Sequence, residues 1–243
     1  MADTFEMLRQ VKENGKKVVG AYCTFAPQEL ILAADALSFS LCATKEEPIA
    51  EGEKTLPRNF CPLIKSSYGF AVTDKCPFFL YADIVIGETT CDGKKKMFEL
   101  MSDFKNVYVM RLPSSYTDEN SYSVWLKEVV RLKEYLEKQL EVEITEEKIK
   151  EAIEILNTER ELLKELAGLM KHDPVPMSGQ DMLKLLWGRN FVFDRVEFAN
   201  QLRLIINDMK ETVESNQGPI PKGAKRIIVT GVPTGVGSEK VIK

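Results

Sequence analysis

Hydrophobic and polar positions follow two periods in the first half of the chain. Short apolar runs typical of buried strands alternate with stretches whose apolar residues recur at helical spacing, and the runs lie at 16–22, 37–43, 83–88 and 106–113. Pro27 and Pro62 each stand where a helical stretch begins, and proline is favoured at the first position of a helix. Alternating strands and helices predict βαβ units, and hence a parallel sheet with right-handed crossovers.

The pattern changes after this block. Residues 118–171 are strongly charged with apolar stripes at helical spacing, which predicts long amphipathic helices, and Thr145 is a suitable N-cap for the second of them. Two further helices are predicted over 181–191 and 194–215. After a Pro/Gly-rich linker, the last residues are typical of a strand, a turn and the start of a helix.

The predicted fold class is therefore α/β. A parallel sheet with flanking helices, of the Rossmann or flavodoxin-like type, is followed by a helical segment and the start of a second α/β domain. The predicted divisions are an N-terminal α/β domain carrying the cysteines (1–115), a helical segment (116–217), and a linker with the start of the second domain (218–243). Because a lone strand cannot form its own sheet, we expect the remainder of that domain to lie beyond Lys243.

Composition excludes several classes of function. The formal net charge is −4 and no basic patch dominates, so nucleic acid is not an expected partner. The N-terminus lacks the apolar core of a signal peptide, and no apolar run approaches the roughly 18 residues that a membrane span needs. We therefore expect a cytoplasmic protein without a membrane segment. The lone histidine, His172, excludes a two-histidine metal site.

The candidate chemistry lies in five cysteines, all within the first 91 residues. An odd number without a signal peptide argues against a disulfide framework. Cys23 follows the first predicted strand and Cys91 follows the third, so both lie at the carboxyl edge of the sheet, where open α/β folds bind ligands. Cys61 precedes Pro62 and occupies a predicted N-cap, a position that favours the thiolate.

The other two cysteines are placed differently. Cys76 lies in the loop before the third strand, and Cys42 falls inside the second strand, where a buried core cysteine is expected. The closely spaced cysteines of ferredoxins are absent, so a cluster would need ligands from separate loops. The pattern alone leaves open a metal or iron–sulfur site, a set of incidental buried thiols and, less favoured, structural zinc.

Other side chains are weaker candidates. Glu88 ends the strand before Cys91 and is a candidate for proton transfer, for positioning a ligand or for capping the turn. Ser66, with Ser67, is a candidate for hydrogen bonding to a cluster or substrate, although packing serines are more common. Lys94–Lys96 either offset cluster charge or form a solvated helix face. A phosphate-binding loop is only weakly indicated, since the lysine and the complete glycine pattern are missing from Gly231, Thr234, Gly235 and Gly237.

Three segments resemble a known family. The sequences VVGAYCTFAPQELILAADA, LPRNFCPLIKSSYG and ADIVIGETTCDGKKKMFELM are similar to the signature blocks of the 2-hydroxyacyl-CoA dehydratase D-component and benzoyl-CoA reductase family, in the family's order. The short stand-alone branch of double-cubane cluster proteins looks closest. The likeness is strong over roughly residues 15–112, and RIIVTGVPTG resembles the opening of the family's second domain.

The resemblance implies an anaerobic iron–sulfur component. It would carry a [4Fe–4S] or double-cubane [8Fe–9S] cluster, receive low-potential electrons from an ATP-dependent activator protein, and act in radical dehydration or reduction of an acyl-CoA within a homodimer or heterodimer. By matching family positions, the resemblance implies Cys61 and Cys91 as ligands, with Cys23 and Cys76 as further ligands. Glu88 and Ser66 are the candidate catalytic residues. The alternative is an α/β scaffold or binding subunit that has no cluster and partners a catalytic chain.

Overall fold

The computed structural model describes residues 2–228 and residue 242. The chain divides into two compact units, 1–152 and 153–243, which are described separately below. Within the described residues, no helix is long and apolar enough to cross a membrane. Residues 226–228, which begin the predicted strand of the second domain, have no regular structure. The rest of that strand, the turn and nearly all of the helix fall outside the described residues, together with Gly231, Thr234, Gly235 and Gly237, and the predicted three-part division stays a prediction.

The first unit is built on a four-stranded parallel sheet. Its strands follow the order β2-β1-β3-β4 and comprise β1 (Lys17–Ala21), β2 (Ala36–Ser40), β3 (Ile84–Glu88) and β4 (Val107–Met110). All three neighbouring pairs are parallel, which confirms the predicted α/β fold class. Central strands covered on both faces require continuous apolar runs, and β3 is buried along its whole length.

Helices cover the sheet and connect its strands. The first unit contains α1 (Ala2–Glu13), α2 (Gln28–Ala33), α3 (Ile49–Gly52), α4 (Pro62–Val72), α5 (Pro77–Leu80), α6 (Asp92–Met101), α7 (Ser121–Leu140) and the beginning of α8 (Glu146–Leu169). Helix α1 ends at Glu13, just before Gly15, whose φ of +76° is a value that glycine adopts readily. Thr145 accepts a hydrogen bond from Lys148 N at 3.3 Å, which confirms the predicted N-cap.

The core of the first unit joins the sheet to α2 and α7. Val19, Ile84 and Ile86 of the central strands are fully buried against Leu132 and Leu136 of α7. The amphipathic stripe of α7 therefore completes the core, as a surface helix does when its apolar face has a sheet to cover. Glu128 of α7 is also buried, and its carboxylate accepts a hydrogen bond from Tyr108 Oη at 3.0 Å.

Helices α3 and α4 approach each other closely through two glycines. A Cβ at Gly69 would lie 1.9 Å from the carbonyl oxygen of Pro48, and a Cβ at Gly52 would lie 2.3 Å from the carbonyl oxygen of Lys65. The buried Lys65 ammonium also binds Glu53 and the carbonyl oxygen of Arg58, each within 3 Å. These contacts fix the start of α4, which is where Cys61 lies.

Between residues 153 and 228, the regular structure of the second unit is helical. It contains the remainder of α8, α9 (Gly179–Gly188), a 3-10 turn (Arg189–Phe191) and α10 (Arg195–Glu214). Leu166, Leu202, Ile206 and Met209 form its core. The buried Glu159 carboxylate pairs with both Arg189 and Arg195, at 3.0 and 3.1 Å, so its charge is compensated.

Three details differ from the sequence predictions. The second strand ends at Ser40 rather than at residue 43, which leaves Cys42 beyond the strand. The polar stretch 44–60 contains the short helix α3, and Cys76 caps the short helix α5 instead of lying in an irregular loop. One-turn helices give too few periods for a hydrophobic pattern to reveal them.

Candidate functional site

The candidate site lies at the carboxyl edge of the sheet, where the strand order reverses. The chain runs from β1 outward to β2, and then returns to place β3 on the other side of β1. This reversal creates a crevice between the turns that follow β1 and β3, the usual place for ligands in open α/β sheets. Cys23 follows β1 and Cys91 follows β3, so the two predicted cysteines flank the crevice.

Cys23 is held in an unusual backbone conformation. Its φ is +65°, a left-handed value that costs a non-glycine residue of the order of 1 kcal/mol. Its sulfur accepts a hydrogen bond from Lys94 Nζ at 2.6 Å and lies 3.4 Å from Thr90 Oγ1. The turns after β1 and β3 are therefore joined through the Cys23 sulfur.

Cys42 belongs to the same group, contrary to the expectation of a core residue. Its sulfur accepts a hydrogen bond from Cys23 N at 3.5 Å and lies 3.8 Å from Lys94 Nζ. The side chain is only partly buried. The correction follows from the shorter second strand, since a residue beyond the strand end faces the crevice region rather than the core.

The charges in this group support one another. The hydrogen bond from the Cys42 thiol lowers the pKa of Cys23 to about 5; burial opposes this shift, and Lys94 reinforces it. The same bond, with burial, raises the pKa of Cys42. Burial on its own lowers the pKa of Lys94, but the neighbouring sulfurs of Cys42 and Cys23 raise it above the ordinary value. These shifts favour a thiolate at Cys23 beside the Lys94 ammonium and a protonated thiol at Cys42.

Lys94 also connects this group to Cys91. Cys91 is the N-cap of α6, and its sulfur accepts a hydrogen bond from Lys94 N at 3.4 Å. The Lys94 ammonium lies 5.7 Å from the centre of the buried Tyr22 ring, within the range of a cation–π contact. Lys95 and Lys96 differ, because they pair with Asp92 and Glu99 on the exposed face of the helix.

Cys61 lies at the start of a neighbouring helix. It is the N-cap of α4, with Pro62 at the first helical position, and its side chain is exposed, as is that of Cys91. The first turns of α4 and α6 pack together: a Cβ at Gly93 would lie 2.7 Å from Ile64 Cδ1. The structure thus places Cys61 and Cys91 at the N-termini of two adjacent helices.

Cys76 is more enclosed than these two cysteines. It caps α5, and burial raises the pKa of its thiol. Burial also raises the pKa of Tyr22, with smaller contributions from Cys76 and Cys42. Cys76 therefore belongs to the electrostatic surroundings of Tyr22, while hydrogen bonds gather Cys23, Cys42 and Cys91 around Lys94.

Glu88 is buried below the turn that follows Cys23. Its Oε1 accepts hydrogen bonds from Phe25 N at 2.6 Å and Ala26 N at 2.8 Å. In the described part of the chain, its Oε2 is buried and has no hydrogen-bond partner. Burial raises the pKa of Glu88 to about 7, although the bond from Ala26 acts in the opposite direction. The carboxyl group therefore anchors this turn and can hold a proton near neutral pH.

The two candidate serines hold the loop after Cys42. Ser66 is buried, and its hydroxyl donates to the carbonyl oxygen of Lys45 at 2.5 Å. Ser67 Oγ accepts a hydrogen bond from Ala43 N at 3.1 Å. These contacts give both serines a structural role, and a catalytic role for Ser66 stays a prediction.

An open apolar groove adjoins the turn after Cys23. It has a volume of about 440 Å³ and is lined mainly by aromatic and apolar side chains, among them Phe25, Leu112, Tyr116 and Trp125. Leu112 N donates to Thr89 Oγ1 at 2.9 Å, and Phe25 N donates to Glu88. Backbone hydrogen bonds thus connect two sides of the groove to the segment that precedes Cys91.

The chain matches the family described as "2-hydroxyglutaryl-CoA dehydratase, D-component" over residues 23–243. It belongs to this family. The E. coli K12 protein named "Putative dehydratase subunit YjiM" is 46% identical over 239 residues, which cover 98% of the chain and 62% of that protein.

More distant relatives have more specific names. A benzoyl-CoA reductase subunit of Thauera aromatica is 23% identical over 75% of the chain and 48% of its own length. The (R)-phenyllactyl-CoA dehydratase beta subunit of Clostridium sporogenes is 22% identical over 93% of the chain and 59% of its own length. The chain therefore spans about half to three fifths of the curated relatives it matches. The resemblance found in the sequence is confirmed at the level of the family.

The donor chemistry of the edge suits an iron–sulfur cluster, because thiolates are the usual ligands of such clusters. Among the residues that the structure describes, however, no group of three or more cysteine, histidine or carboxylate side chains is arranged to hold a metal ion. Cys61 and Cys91 present exposed sulfurs at helix N-termini, where the helix dipole favours an anion. Cys61 and Cys91 therefore suit an iron–sulfur cluster in two respects: they offer sulfur donors, and these donors are exposed.

Sequence reasoning missed the contribution of Cys42. A usable signal was present: Ala21 pairs with Ser40, and Cys23 and Cys42 each lie two residues beyond that pair. Equal strand lengths would have placed both cysteines at the same level of the sheet. Lys94 contacts the cysteines, whereas the two lysines that follow it pair with carboxylates on the exposed face. This difference depends on the directions of the side chains, which three consecutive lysines in the sequence do not reveal.

Proposed function

We propose that this chain carries sulfur ligands of the iron–sulfur component of a 2-hydroxyacyl-CoA dehydratase-like system. The whole component takes low-potential electrons from an ATP-dependent activator protein and passes them to an acyl-CoA substrate. The reaction class is dehydration of a 2-hydroxyacyl-CoA, by analogy with the name of the phenyllactyl-CoA relative, or a reduction, by analogy with the benzoyl-CoA relative.

One observation carries this proposal. Sulfurs from three separate turns contact a single residue: the Lys94 ammonium contacts Cys23 and Cys42, and the Lys94 backbone N–H donates to Cys91. Independent structural thiols have no reason to gather at the ligand-binding edge of an α/β sheet. Together with membership of the D-component family, this arrangement favours a site where several thiolates bind one group.

Cys61 and Cys91 are the proposed principal ligands, because their sulfurs are exposed at adjacent helix N-termini. Cys23 is a proposed further ligand, and Cys76 is a fourth candidate. A bound [4Fe–4S] or [8Fe–9S] cluster would supply one-electron transfer. Lys94 provides positive charge beside the thiolates, which favours their ionised form and offsets the negative charge of a cluster.

Glu88 and the aromatic groove have proposed roles around these ligands. Glu88 holds the turn after Cys23 and carries a proton at a site excluded from water, so it is suited to proton transfer as well as to positioning. The groove is proposed to receive the acyl part of the substrate, since its aromatic walls suit an apolar group. The proposed partners are the activator protein and a second subunit of the same family.

The proposal is tested on the whole natural protein that contains this chain, purified without oxygen. Iron, acid-labile sulfide and the electron paramagnetic resonance of the dithionite-reduced protein are measured. We expect several irons per chain and a signal typical of a reduced cluster. Protein that stays free of iron and sulfide after anaerobic reconstitution would contradict the proposal and leave the scaffold alternative.

Variants then assign the ligands. Cys61→Ser and Cys91→Ser should each lose most of the iron while their circular dichroism remains unchanged, because both sulfurs are exposed and make few packing contacts. Ser102→Ala changes an exposed hydroxyl at the far end of α6 and serves as the control with unchanged iron content. Full iron binding by both cysteine variants would exclude them as ligands.

A further inference from the structure

We propose that Cys23 and Cys42 form an intramolecular disulfide when the chain meets a peroxide-type oxidant. The bond would be a reversible modification of this edge of the sheet. Formation of the bond depends only on the geometry of the two turns. Its consequence for metal binding rests on the function proposed above.

The backbone places the two residues at the same level of the sheet, just beyond the ends of two neighbouring strands. β1 and β2 pair in register up to Ala21 and Ser40, and each cysteine lies two residues further on. Leu41 N donates to the carbonyl oxygen of Ala21 at 3.0 Å, so the ladder continues beyond the last paired residues. Neighbouring strands lie roughly 4.8 Å apart, and a disulfide accommodates a Cα separation of about 4.4 to 6.8 Å.

The side chains are also turned toward each other. Cys42 Sγ accepts a hydrogen bond from Cys23 N at 3.5 Å. Lys94 Nζ contacts both sulfurs, at 2.6 and 3.8 Å. Because the two sulfurs share one ammonium neighbour, a bond between them requires no large movement of either turn.

The other three cysteines occupy different surroundings. Cys61, Cys76 and Cys91 cap three separate helices, α4, α5 and α6, and each is fixed at the start of its helix. Cys91 Sγ accepts its hydrogen bond from the backbone of Lys94. The pairing of Cys23 with Cys42 is therefore the one that the structure prepares.

The chemistry proceeds in two balanced steps. The Cys23 sulfur, which contacts the Lys94 ammonium, attacks one oxygen of hydrogen peroxide. The O–O bond breaks, the thiol proton leaves with the departing hydroxide, and the products are Cys23 sulfenic acid and water. The Cys42 sulfur then attacks the sulfenic sulfur, the S–O bond breaks, and the thiol proton leaves with hydroxide as a second water. Overall the two thiols lose two electrons and two protons, and the peroxide is reduced to two waters.

The consequence concerns Cys23 as a ligand. A disulfide sulfur has no thiolate charge to donate to iron, so the oxidised chain would lose Cys23 while Cys61 and Cys91 keep their free sulfurs. A small dithiol would restore both thiols by exchange and become a cyclic disulfide itself. The bond would then protect Cys23 from oxidation to the irreversible sulfinic level.

Peptide mapping tests the bond directly. Trypsin releases residues 18–45 as one peptide, because no lysine or arginine lies between Lys17 and Lys45, and this peptide contains both Cys23 and Cys42. Cys61 lies in the peptide 59–65, and Cys76 and Cys91 share the peptide 76–94. The iron-free chain is treated with one equivalent of hydrogen peroxide, alkylated with N-ethylmaleimide and digested without reductant.

The expected product is peptide 18–45 lighter by two hydrogen atoms and without maleimide, while the other cysteine peptides carry it. Addition of a dithiol before alkylation should return two maleimide groups to peptide 18–45. Maleimide on both cysteines of that peptide after peroxide, or a cross-link between peptides 59–65 and 76–94, would overturn the proposal.

Two variants test the order of the steps. In Cys42→Ser, the sulfenic acid of Cys23 has no partner, so a 1,3-diketone reagent such as dimedone should label Cys23 severalfold more than in the wild type. Cys76→Ser removes a different partly buried cysteine and should leave the disulfide unchanged. If Cys42→Ser fails to fold, as judged by circular dichroism, Cys42→Ala provides the same test; equal labelling of wild type and variant would overturn the mechanism.

Iron uptake separates this proposal from the function proposed above. If the reduced chain takes up iron, the oxidised chain should take up at most half as much and recover after dithiol treatment. Whole natural protein that forms the disulfide but binds no iron in either state would refute the iron–sulfur function and leave the disulfide standing. Equal iron uptake by both states would refute the inhibitory consequence alone.

Discussion

Two pairs of cysteines at the edge of the sheet, Cys23 with Cys42 and Cys61 with Cys91, differ in burial and in hydrogen bonding. Cys23 and Cys42 are partly buried and hydrogen-bonded to each other and to Lys94. Cys61 and Cys91 are exposed N-caps of adjacent helices. The fold already balances the charge of the first pair, whereas the second pair leaves its sulfurs open to an incoming group. The comparison indicates that the first pair depends on its local contacts and the second on the position of its helices.

The largest expected loss of stability comes from a change in the packing of α4, the helix that begins at Cys61. In Gly69→Ala, the new Cβ would meet the carbonyl oxygen of Pro48 at 1.9 Å, and backbone cannot move aside as a side chain does. We expect a loss of about 3 kcal/mol in the free energy of unfolding, with lower occupancy of iron at Cys61. Urea unfolding is followed by the fluorescence of Trp125 in a Trp187→Phe background, since the chain has two tryptophans.

Gly93→Ala is the matched control on the neighbouring helix. Its Cβ would meet Ile64 Cδ1 at 2.7 Å, but this atom is the end of a flexible side chain that can turn away. The cost should be about 1 kcal/mol or less. Equal destabilisation by the two substitutions would show that α3 and α4 are not as closely packed as the structure has them.

The second prediction concerns how the stability of the protein depends on pH through Glu88, which holds the turn after Cys23. Its pKa is about 7 in the folded chain and about 4.5 when exposed, so the folded state binds the additional proton between these pH values. The free energy of unfolding should therefore fall as pH rises from about 4.5 to 7, by at most about 3 kcal/mol from this group. Below pH 4.5 and above pH 8, this contribution should be constant.

Glu88→Gln removes the titration while its amide oxygen can still accept from Phe25 N and Ala26 N. Unfolding by urea at a series of pH values should show a flatter curve than that of the wild type. Glu134→Gln, an exposed position on α7, makes the same change in net charge and serves as control. A Glu88→Gln curve parallel to the wild type would contradict the raised pKa.

The elements of the fold were predictable to a large extent, because strand–helix alternation, Gly15 and Thr145 carry their own local signals. The level of Cys42 was missed because the predicted second strand ran to residue 43; a difference of three residues in the end of β2 decides whether a side chain faces the core or the crevice. The family and the candidate ligands Cys23, Cys61 and Cys91 were recognisable from their sequence blocks. Lys94 and Cys23 are 71 residues apart in the sequence. Their contact depends on how the tertiary structure places two separate turns, and no local sequence pattern encodes it.

The third prediction concerns the positive charge of Lys94 beside the Cys23 sulfur. Lys94→Met keeps much of the apolar stem but removes the ammonium that lies 2.6 Å from the Cys23 sulfur. The pKa of Cys23 should rise, and its alkylation by iodoacetamide at pH 7 should slow by about tenfold. The rate is measured on peptide 18–45 of the iron-free chain; Lys95→Met, on the exposed face, should leave it unchanged. An unaltered rate in Lys94→Met would show that the ammonium does not control this thiol.

The smallest expected effect concerns the turn that carries Cys91. Thr89 Oγ1 accepts a hydrogen bond from Leu112 N at 2.9 Å and so ties the end of β4 to the turn after β3. Thr89→Val preserves the branched shape but leaves Leu112 N without this acceptor, which should cost about 1 kcal/mol of stability. Because the lost bond lies on the groove side, hydrogen exchange at Leu112 should accelerate while the Cys23 side remains protected. Thr158→Val, a half-buried position in α8 whose hydroxyl bonds to the Glu154 carbonyl oxygen of its own helix, should have a smaller effect. Faster exchange at Cys23 as well as at Leu112 in Thr89→Val would show that the two cysteine pairs respond as one unit.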